Sequence, residues 1–136
     1  MGQQKPLGGA GLRGQSAGET SICTVGKSGT GLTYRGYDIK ELADSAQFEE
    51  VAYLLLKGEL PGEQQLDAYK RELRRLRTLP LPLLEVLERI PADAHPMDVL
   101  RTGCSMLGDL EPEEGFEHEH EVADRLLAAF PGILIY

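Results

Sequence analysis

Glycine distribution divides this chain into two unlike parts, and it limits the possible folds more than any other feature. Ten of the sixteen glycines lie at or before Gly36. Because glycine is conformationally free and weakens regular structure, the first part is expected to be irregular, with at most short strands. From Asp38 onward, apolar residues recur at the three- and four-residue spacing of an amphipathic helix. The sequence therefore predicts an all-α fold with a small β element near its N-terminus.

Three segments follow from this division. Residues 1–18 are predicted to form a glycine-rich arm, residues 19–37 a β-hairpin, and residues 38–136 a helical region. In the hairpin, the β-branched run at residues 21–25 is expected to pair with residues 32–35 across a glycine-containing turn. A two-stranded hairpin is marginal alone, so it must pack on the helices or on a partner chain.

Six helical patterns occupy the third segment. We expect Asp38 to cap the first helix, Gly58 to end the second, Pro61 to begin the third and Pro96 to begin the fifth. Pro80 and Pro82 separate the third helix from a short fourth one. The residues predicted to line apolar faces include Phe48, Ala52, Leu55, Leu66, Tyr69, Leu73, Leu76, Leu83, Leu87, Met97, Leu100, Cys104, Leu107, Val122, Leu126, Leu127 and Phe130.

The overall composition is that of a globular protein with an aliphatic core. Hydrophobic residues make up 41% of the chain, and tryptophan is absent. A net charge of −8 argues against non-specific nucleic-acid binding, which depends on Lys and Arg neutralising phosphates. No stretch is long and apolar enough for a membrane span, and the start lacks a signal-peptide core, so a cytoplasmic location is expected. Cys23 and Cys104 are more readily explained as two thiols than as a disulfide, although the pairing stays possible.

Two glycine motifs resemble nucleotide-binding loops but lack the required context. Residues 9–14 match G-x-G-x-x-G, yet no strand precedes them and no convincing helix start follows. Residues 26–28, Gly-Lys-Ser, resemble the end of a Walker A loop. That motif needs a glycine five positions before Gly26, where Ser21 stands, and a helix where a strand is predicted. Neither motif predicts a phosphate site.

Charged clusters in the helical region are best explained as structure. His118, His120 and Asp124 invite a metal-site interpretation, but the histidines point to different sides of a helix and an exposed acidic helix start is favoured. His95 is expected to help start the helix that Pro96 opens, not to be catalytic. A basic helix face is interpreted as solvated, with docking of an acidic partner as the alternative; it comprises Lys70, Arg71, Arg74, Arg75 and Arg77.

Several sequence motifs together resemble the citrate synthase family. In chain order these are GLRG at 11–14, TVGKSG at 24–29, YRGYD at 34–38, FEEVAYLL at 48–55, GELP at 58–61 and HPMD at 95–98. The TVGKSG segment is most similar to the 2-methylcitrate synthase branch. The resemblance extends from Gly11 to Tyr136, and it identifies residues 38–136 as the N-terminal part of that family's large domain.

The resemblance implies a function and also what this chain lacks. Family members are all-α homodimers that condense an acyl-CoA with oxaloacetate, propionyl-CoA in the methylcitrate branch and acetyl-CoA in citrate synthase proper. The coenzyme A thioester is a substrate, and no permanently bound cofactor or metal is implied. The family's catalytic histidines and aspartate do not map onto any residue here, so no catalytic residue is assigned. Arg13 matches an arginine that approaches coenzyme A in relatives, with ordering of the arm as the alternative role.

The apolar run from Phe130 to Tyr136 is the last informative feature. It predicts a helix that continues into a larger core, so the chain is expected to be truncated and inactive alone. The main hypothesis is therefore the N-terminal portion of a 2-methylcitrate synthase. The alternatives are a fragment of citrate synthase proper and a non-enzymatic helical module that self-associates.

Overall fold

The computed structural model describes residue 16, residues 18–26 and residues 31–136. The described chain consists of three short strands followed by six α-helices, which confirms the predicted helical fold with a small β element. The strands are β1 (Cys23–Val25), β2 (Leu32–Tyr34) and β3 (Tyr37–Asp38). The helices are α1 (Ile39–Ser45), α2 (Phe48–Lys57), α3 (Glu63–Leu76), α4 (Leu81–Leu87), α5 (Pro96–Leu110) and α6 (Glu119–Ile135), and a 3₁₀ turn at Phe116–His118 leads into α6.

The strands form one antiparallel sheet in the order β1-β2-β3. Cys23 pairs with Tyr34, so the predicted hairpin is present, while Tyr34 also pairs with Tyr37 in a third strand that the sequence pattern did not predict. Between β2 and β3 the chain reverses at Arg35 and Gly36, whose φ angles are 48° and 91°. Positive φ at both central residues suits the twist of a two-residue hairpin.

The ends of the first two helices follow the predicted capping residues. The Asp38 carboxylate accepts a hydrogen bond from the Lys40 amide at 2.8 Å, which satisfies a free first-turn donor of α1. Gly58 ends α2 with a φ of 97°, and its amide donates to the Leu54 carbonyl at 2.9 Å. Glycine adopts this left-handed conformation without the steric cost that a Cβ brings.

The predicted start of α3 is wrong by two residues. Pro61 precedes the helix, which begins at Glu63 after an extended Gly62 with φ −69° and ψ 166°. The Gln65 side chain accepts from the Gly62 amide at 2.8 Å, and this single bond back to the glycine favours a helix start after it. The sequence rule for proline at the first helical position did not take this polar pair into account.

Two apolar clusters form the core, and α6 contributes to both. One is centred on Leu83, Leu87, Leu107, Ala129 and Ile133, and the other on Ala52, Tyr69, Leu73 and Ala128. Helix α6 is buried on two faces, and its most buried apolar residues are Ala128, Ala129 and Ile133. The single apolar stripe predicted for this helix, at Val122, Leu126, Leu127 and Phe130, is only half-buried.

Two large residues predicted to lie on apolar faces are exposed instead. Met97 is 62% exposed, because at 3.6 residues per turn it lies about 120° around α5 from the buried Gly103. Phe48, the first residue of α2, is 67% exposed, since the buried positions of that helix are Ala52 and Leu54. Both residues stand in the first turn of their helix.

The apolar run from Phe130 onward is helical through Pro131 and is only partly covered. Ile133 is 1% exposed, whereas Leu134, Ile135 and Tyr136 are 46%, 85% and 59% exposed. In the described part of the chain, no helix has both the length and the apolar character that crossing a bilayer requires.

Candidate functional site

The candidate coenzyme A residue, Arg13, lies outside the described residues, as does the motif at 9–14. Of the Walker-like motif, only Gly26 is described. It turns the chain with a φ of 62°, and its amide donates to the Gly31 carbonyl at 2.8 Å. Strand β2 follows this turn, where a Walker A motif would require a helix.

A polar network around a buried carboxylate joins the three helices α2, α3 and α6. Asp124 of α6 is 8% exposed, and both of its carboxylate oxygens are used. Its Oδ1 accepts from the Tyr69 hydroxyl of α3 at 2.6 Å, and its Oδ2 accepts from Lys57 Nζ of α2 at 3.1 Å. A buried carboxylate needs such partners, because an unpaired one would lose its hydration without replacement.

Tyr69 is the member of this network whose protonation is most strongly perturbed. Burial raises its pKa, and the hydrogen bond to the negatively charged Asp124 raises it further. Its ring meets Tyr53 edge to face, with centroids 5.3 Å apart. The hydroxyl therefore stays protonated as a donor, so Tyr69 itself is not a general base, and its hydrogen bond links α3 to α6.

A second polar cluster lies where α3, α5 and α6 meet. Arg125 donates to the two carboxylate oxygens of Glu111 at 2.8 and 2.9 Å, and its remaining nitrogen donates to the Leu76 carbonyl at the end of α3. The hydrogen bonds from Arg125 lower the pKa of Glu111. This two-pronged pairing fixes the connection between α5 and α6 against the last turn of α3.

This cluster borders an open groove of about 900 Å³. Six carboxylates and two arginines line it, together with Cys104 and His118. Each arginine is already paired, Arg75 with Glu72 at 2.6 Å and Arg125 with Glu111. A groove with surplus negative charge and no free arginine is poorly suited to an anionic ligand.

The predicted structural roles of His95 and the basic face agree with the geometry. His95 caps α5, since its Nδ1 accepts from the Met97 amide at 3.2 Å. On α3, Lys70 donates to the Gln47 side chain, and Arg75 pairs with Glu72 on the same helix. The other basic side chains of that face, Arg71, Arg74 and Arg77, are exposed.

The residues considered for a metal site are not brought together. Asp124 is buried in its network, while His118 lies 3.1 Å from Glu121 on the surface and His120 is exposed. Within the described ranges, no group of three or more His, Cys, Asp or Glu side chains is placed to hold a metal ion. The interpretation as an acidic helix start was incomplete, because it did not predict that Asp124 is buried.

Comparison with known proteins gives the family. A family profile described as "Citrate synthase, C-terminal domain" matches residues 11–136. The chain belongs to the citrate synthase family. A 2-methylcitrate synthase from Shewanella oneidensis is 68% identical over 136 residues, which is 100% of this chain and 36% of that protein. The 2-methylcitrate synthase 2 of Corynebacterium glutamicum is 40% identical over 127 residues, covering 91% of this chain and 33% of that protein.

Solved structures of the citrate synthase family share this fold. The crystal structure of citrate synthase from Thermotoga maritima matches with a TM-score of 0.80 and 37% identity, over 93% of this chain and 33% of that one. This citrate synthase family chain thus spans about a third of the length of the relatives it matches.

Sequence reasoning missed the polar residues that organise this citrate synthase segment. Lys57, Tyr69 and Asp124 come from three helices up to 67 positions apart, so no local spacing connects them. Tyr69 gave the only signal, since a tyrosine on a leucine-rich helix face usually has a polar partner for its hydroxyl. Arg125 and Glu111, 14 positions apart, gave no signal at all.

Proposed function

We propose that this chain is the N-terminal portion of a 2-methylcitrate synthase, which condenses propionyl-CoA with oxaloacetate to give 2-methylcitrate in propionate breakdown. The 68% identity to the Shewanella oneidensis enzyme over all 136 residues carries this proposal. The TVGKSG segment at residues 24–29, typical of the methylcitrate branch, supports the same assignment. A cytoplasmic homodimer is the proposed working form.

The reaction needs groups that the described residues do not bring together. A base must remove a proton from the α-carbon of the thioester, and oriented donors must stabilise the enol and polarise the ketone of oxaloacetate. The three histidines of the chain cap a helix, pair with Glu121 or face solvent, and none lies beside a free carboxylate in the interior. We therefore propose that the segment is scaffold for catalytic groups elsewhere in the enzyme and is inactive alone.

Arg13 is the residue proposed to contact substrate. A guanidinium forms paired, charge-assisted hydrogen bonds with phosphate oxygens, so it suits the phosphates of coenzyme A. The groove beside Arg125 does not compete for that role, since both of its arginines are occupied by carboxylates. Ordering of the arm by Arg13 is the alternative role.

A segment exchange tests the proposed function directly. The 136 residues replace the corresponding segment of the Shewanella oneidensis enzyme, and coenzyme A release from propionyl-CoA and oxaloacetate is measured. We expect activity within about tenfold of the parent enzyme, because the exchange conserves 68% of the residues. The isolated chain, assayed at matched concentration, is expected to release none.

Two results would contradict the proposal. A correctly folded exchange protein without condensation activity would argue against the assignment, and activity of the isolated chain would refute its inactivity. A matched Arg13→Ala exchange protein tests the coenzyme A contact. It should raise the KM for propionyl-CoA with little change in the KM for oxaloacetate.

Citrate synthase proper is the second candidate, because the Thermotoga maritima citrate synthase is nearly as similar to this chain as the Corynebacterium glutamicum methylcitrate enzyme is, at 37% against 40% identity. The two candidates differ in acyl-chain preference. If acetyl-CoA gives the higher kcat/KM in the full-length gene product, the segment belongs to citrate synthase proper.

A further inference from the structure

A mostly apolar cleft lies open between α2, α3 and α6. Its volume is about 460 Å³, and its apolar lining includes Phe48, Leu73, Leu127, Pro131 and Ile135. Phe48 and Ile135 are 67% and 85% exposed although both are large and apolar. Large apolar side chains that are exposed side by side mark interaction surfaces, whereas scattered ones do not. The cleft is therefore a candidate docking surface.

A basic stripe on α3 runs beside this cleft. It consists of Lys70, Arg74 and Arg77, whose spacing of four and three residues places them on one side of the helix. Arg77 itself lines the cleft. At the other end of the stripe, Lys70 donates to the side chain of Gln47, the residue before Phe48. The stripe thus begins next to the start of α2 and ends in the cleft.

The positive charge of this stripe is not neutralised by the rest of the described chain. Arg75, outside the stripe, pairs with Glu72, whereas the described residues form no ion pair with Arg74 or Arg77, which are both exposed. The whole chain has a net charge of −8, so the stripe is a local patch of opposite sign. A guanidinium pairs with a carboxylate through two parallel hydrogen bonds, which makes arginine well suited to interfaces. The matching partner surface is acidic.

An apolar cleft with cations along one side fits an amphipathic helix that carries acidic residues next to its apolar face. The stripe extends over seven residues, about 10 Å along the helix axis, so acidic residues three or four positions apart on a partner helix can reach it. A symmetric pairing of two copies through the cleft would bring the basic stripe against itself. Like charges in contact oppose such a pairing.

The relatives indicate where such a helix comes from. The chain spans 36% of the Shewanella oneidensis enzyme and 33% of the Thermotoga maritima structure, so most of a family enzyme lies outside these 136 residues. We propose that the cleft and the basic stripe together dock an acidic amphipathic helix from the remaining part of the same enzyme subunit. This inference rests on the proposed function, which makes the chain one portion of a longer enzyme.

Carbodiimide coupling in the segment-exchange enzyme tests the contact. A water-soluble carbodiimide joins a lysine amine to a carboxylate only where the two groups touch. Arg77→Lys keeps the charge and supplies the amine, so it should yield a coupled peptide between position 77 and an Asp or Glu outside the 136 residues. Arg89→Lys is the matched control, at an exposed arginine that does not line the cleft, and should give no product with that Asp or Glu. Mixing isotope-labelled and unlabelled subunits separates coupling within one subunit from coupling between two.

A charge swap tests the chemistry of the partner. The double variant Arg74→Glu, Arg77→Glu should raise the amide exchange rates of α6 over residues 127–135 by roughly tenfold, because like charges then face each other at the cleft. Replacing the coupled carboxylate with lysine in this double variant should restore most of the protection. Arg89→Glu, with the same charge reversal away from the cleft, should leave these rates unchanged.

Three results would overturn the proposal. Absence of a coupled product from Arg77→Lys in the folded enzyme would show that no carboxylate covers the cleft. A product found only between subunits would make a second copy the occupant, and unchanged exchange in the double variant would show that the stripe does not hold a partner. If the parent exchange enzyme is folded but inactive, the proposed function fails, and the coupling products still identify what lies in the cleft.

Discussion

At the scale of single residues, Gly103 sets how closely α5 can approach α6. A Cβ at this position would stand 2.6 Å from Cγ2 of Ile133, which is 1% exposed in the core. Gly103→Ala is therefore expected to lower the free energy of unfolding by about 1–3 kcal/mol, the usual cost of overpacking. This loss should outweigh the gain of about 0.5–1 kcal/mol from replacing a helical glycine with alanine. Urea unfolding measures the difference.

Gly108 provides the matched control in the same helix. A Cβ there meets no atom within 4 Å, so Gly108→Ala brings only the helix-propensity gain. We expect it to raise the free energy of unfolding. If both alanine variants stabilise the chain, the close approach at Gly103 does not limit the packing of the two helices.

Tyr69 makes the free energy of unfolding depend on pH in the alkaline range. Burial and Asp124 raise its pKa in the folded state above the ordinary value of 10.0, so folding is favoured fully below pH 10 and loses this contribution as the pH rises further. Tyr69→Phe should lower the free energy of unfolding at neutral pH by about 1 kcal/mol, since one hydrogen bond is lost. Above pH 10 the two unfolding curves, followed by circular dichroism, should converge. A constant gap between them would contradict this account.

Residues with a local role were predictable, and residues with distant partners were not. Asp38, Gly58 and His95 act on amides or carbonyls of their own helix ends, so sequence position alone predicted what they do. Arg35 and Asp124 depend on partners 14 to 67 positions away, which one sequence does not reveal. The candidate site was accordingly the less predictable part of this molecule.

At the scale of elements, Arg125 links α6 to the α5–α6 connection and to the end of α3. Its hydrogen bonds to Glu111 lower the pKa of that carboxyl below the ordinary 4.5. The pairing therefore stabilises the fold above pH 4.5, and this stabilisation is lost as the pH falls through the lowered pKa of Glu111. Because the Glu111 side chain is 44% exposed, solvent screening keeps this contribution small.

Glu111→Gln tests this link by acid unfolding. We expect the variant to be slightly less stable at neutral pH and to lose less stability below pH 4.5 than the parent chain does, since its amide does not titrate. Glu113→Gln, at an exposed glutamate of the same connection, is the control. It should lose as much stability below pH 4.5 as the parent chain does. If both variants lose the same stability below pH 4.5, the pairing with Arg125 does not contribute to stability in acid.

The predictions of helix starts and buried faces were wrong where a polar side chain or a second packing face mattered more than the spacing of apolar residues. Gln65 holds Gly62 outside α3, so the helix begins after the position that Pro61 suggested. The single stripe predicted for the last helix failed because α6 lies between two clusters and buries Ala128 and Ala129 instead. A period analysis finds one apolar face, and a helix shared by two clusters has two.

At the scale of the whole molecule, the order of the six helices and the first two strands was predictable, because glycine placement and helix period are properties of the sequence itself. The contact between the sheet and α2 was not predictable, because it is made by the Arg35 side chain, which donates to the Leu55 carbonyl 20 positions away. Arg13, the predicted substrate contact, lies outside the described residues and stays a prediction.

An apolar cleft between α2, α3 and α6 leads to the last prediction, which concerns self-association of the whole chain. The cleft has a volume of about 460 Å³, and its lining includes Phe48 and Ile135, which are 67% and 85% exposed. Contiguous exposed apolar surface favours association, whereas a single exposed apolar residue does not.

Ile135→Glu should therefore lower the weight-average mass in sedimentation equilibrium at high concentration, with helix content unchanged. Phe116→Glu, at a residue that is 92% exposed on the acidic α5–α6 connection and outside the cleft, should leave that mass as it is. An equal decrease in both variants would show that added charge, and not the cleft, controls association.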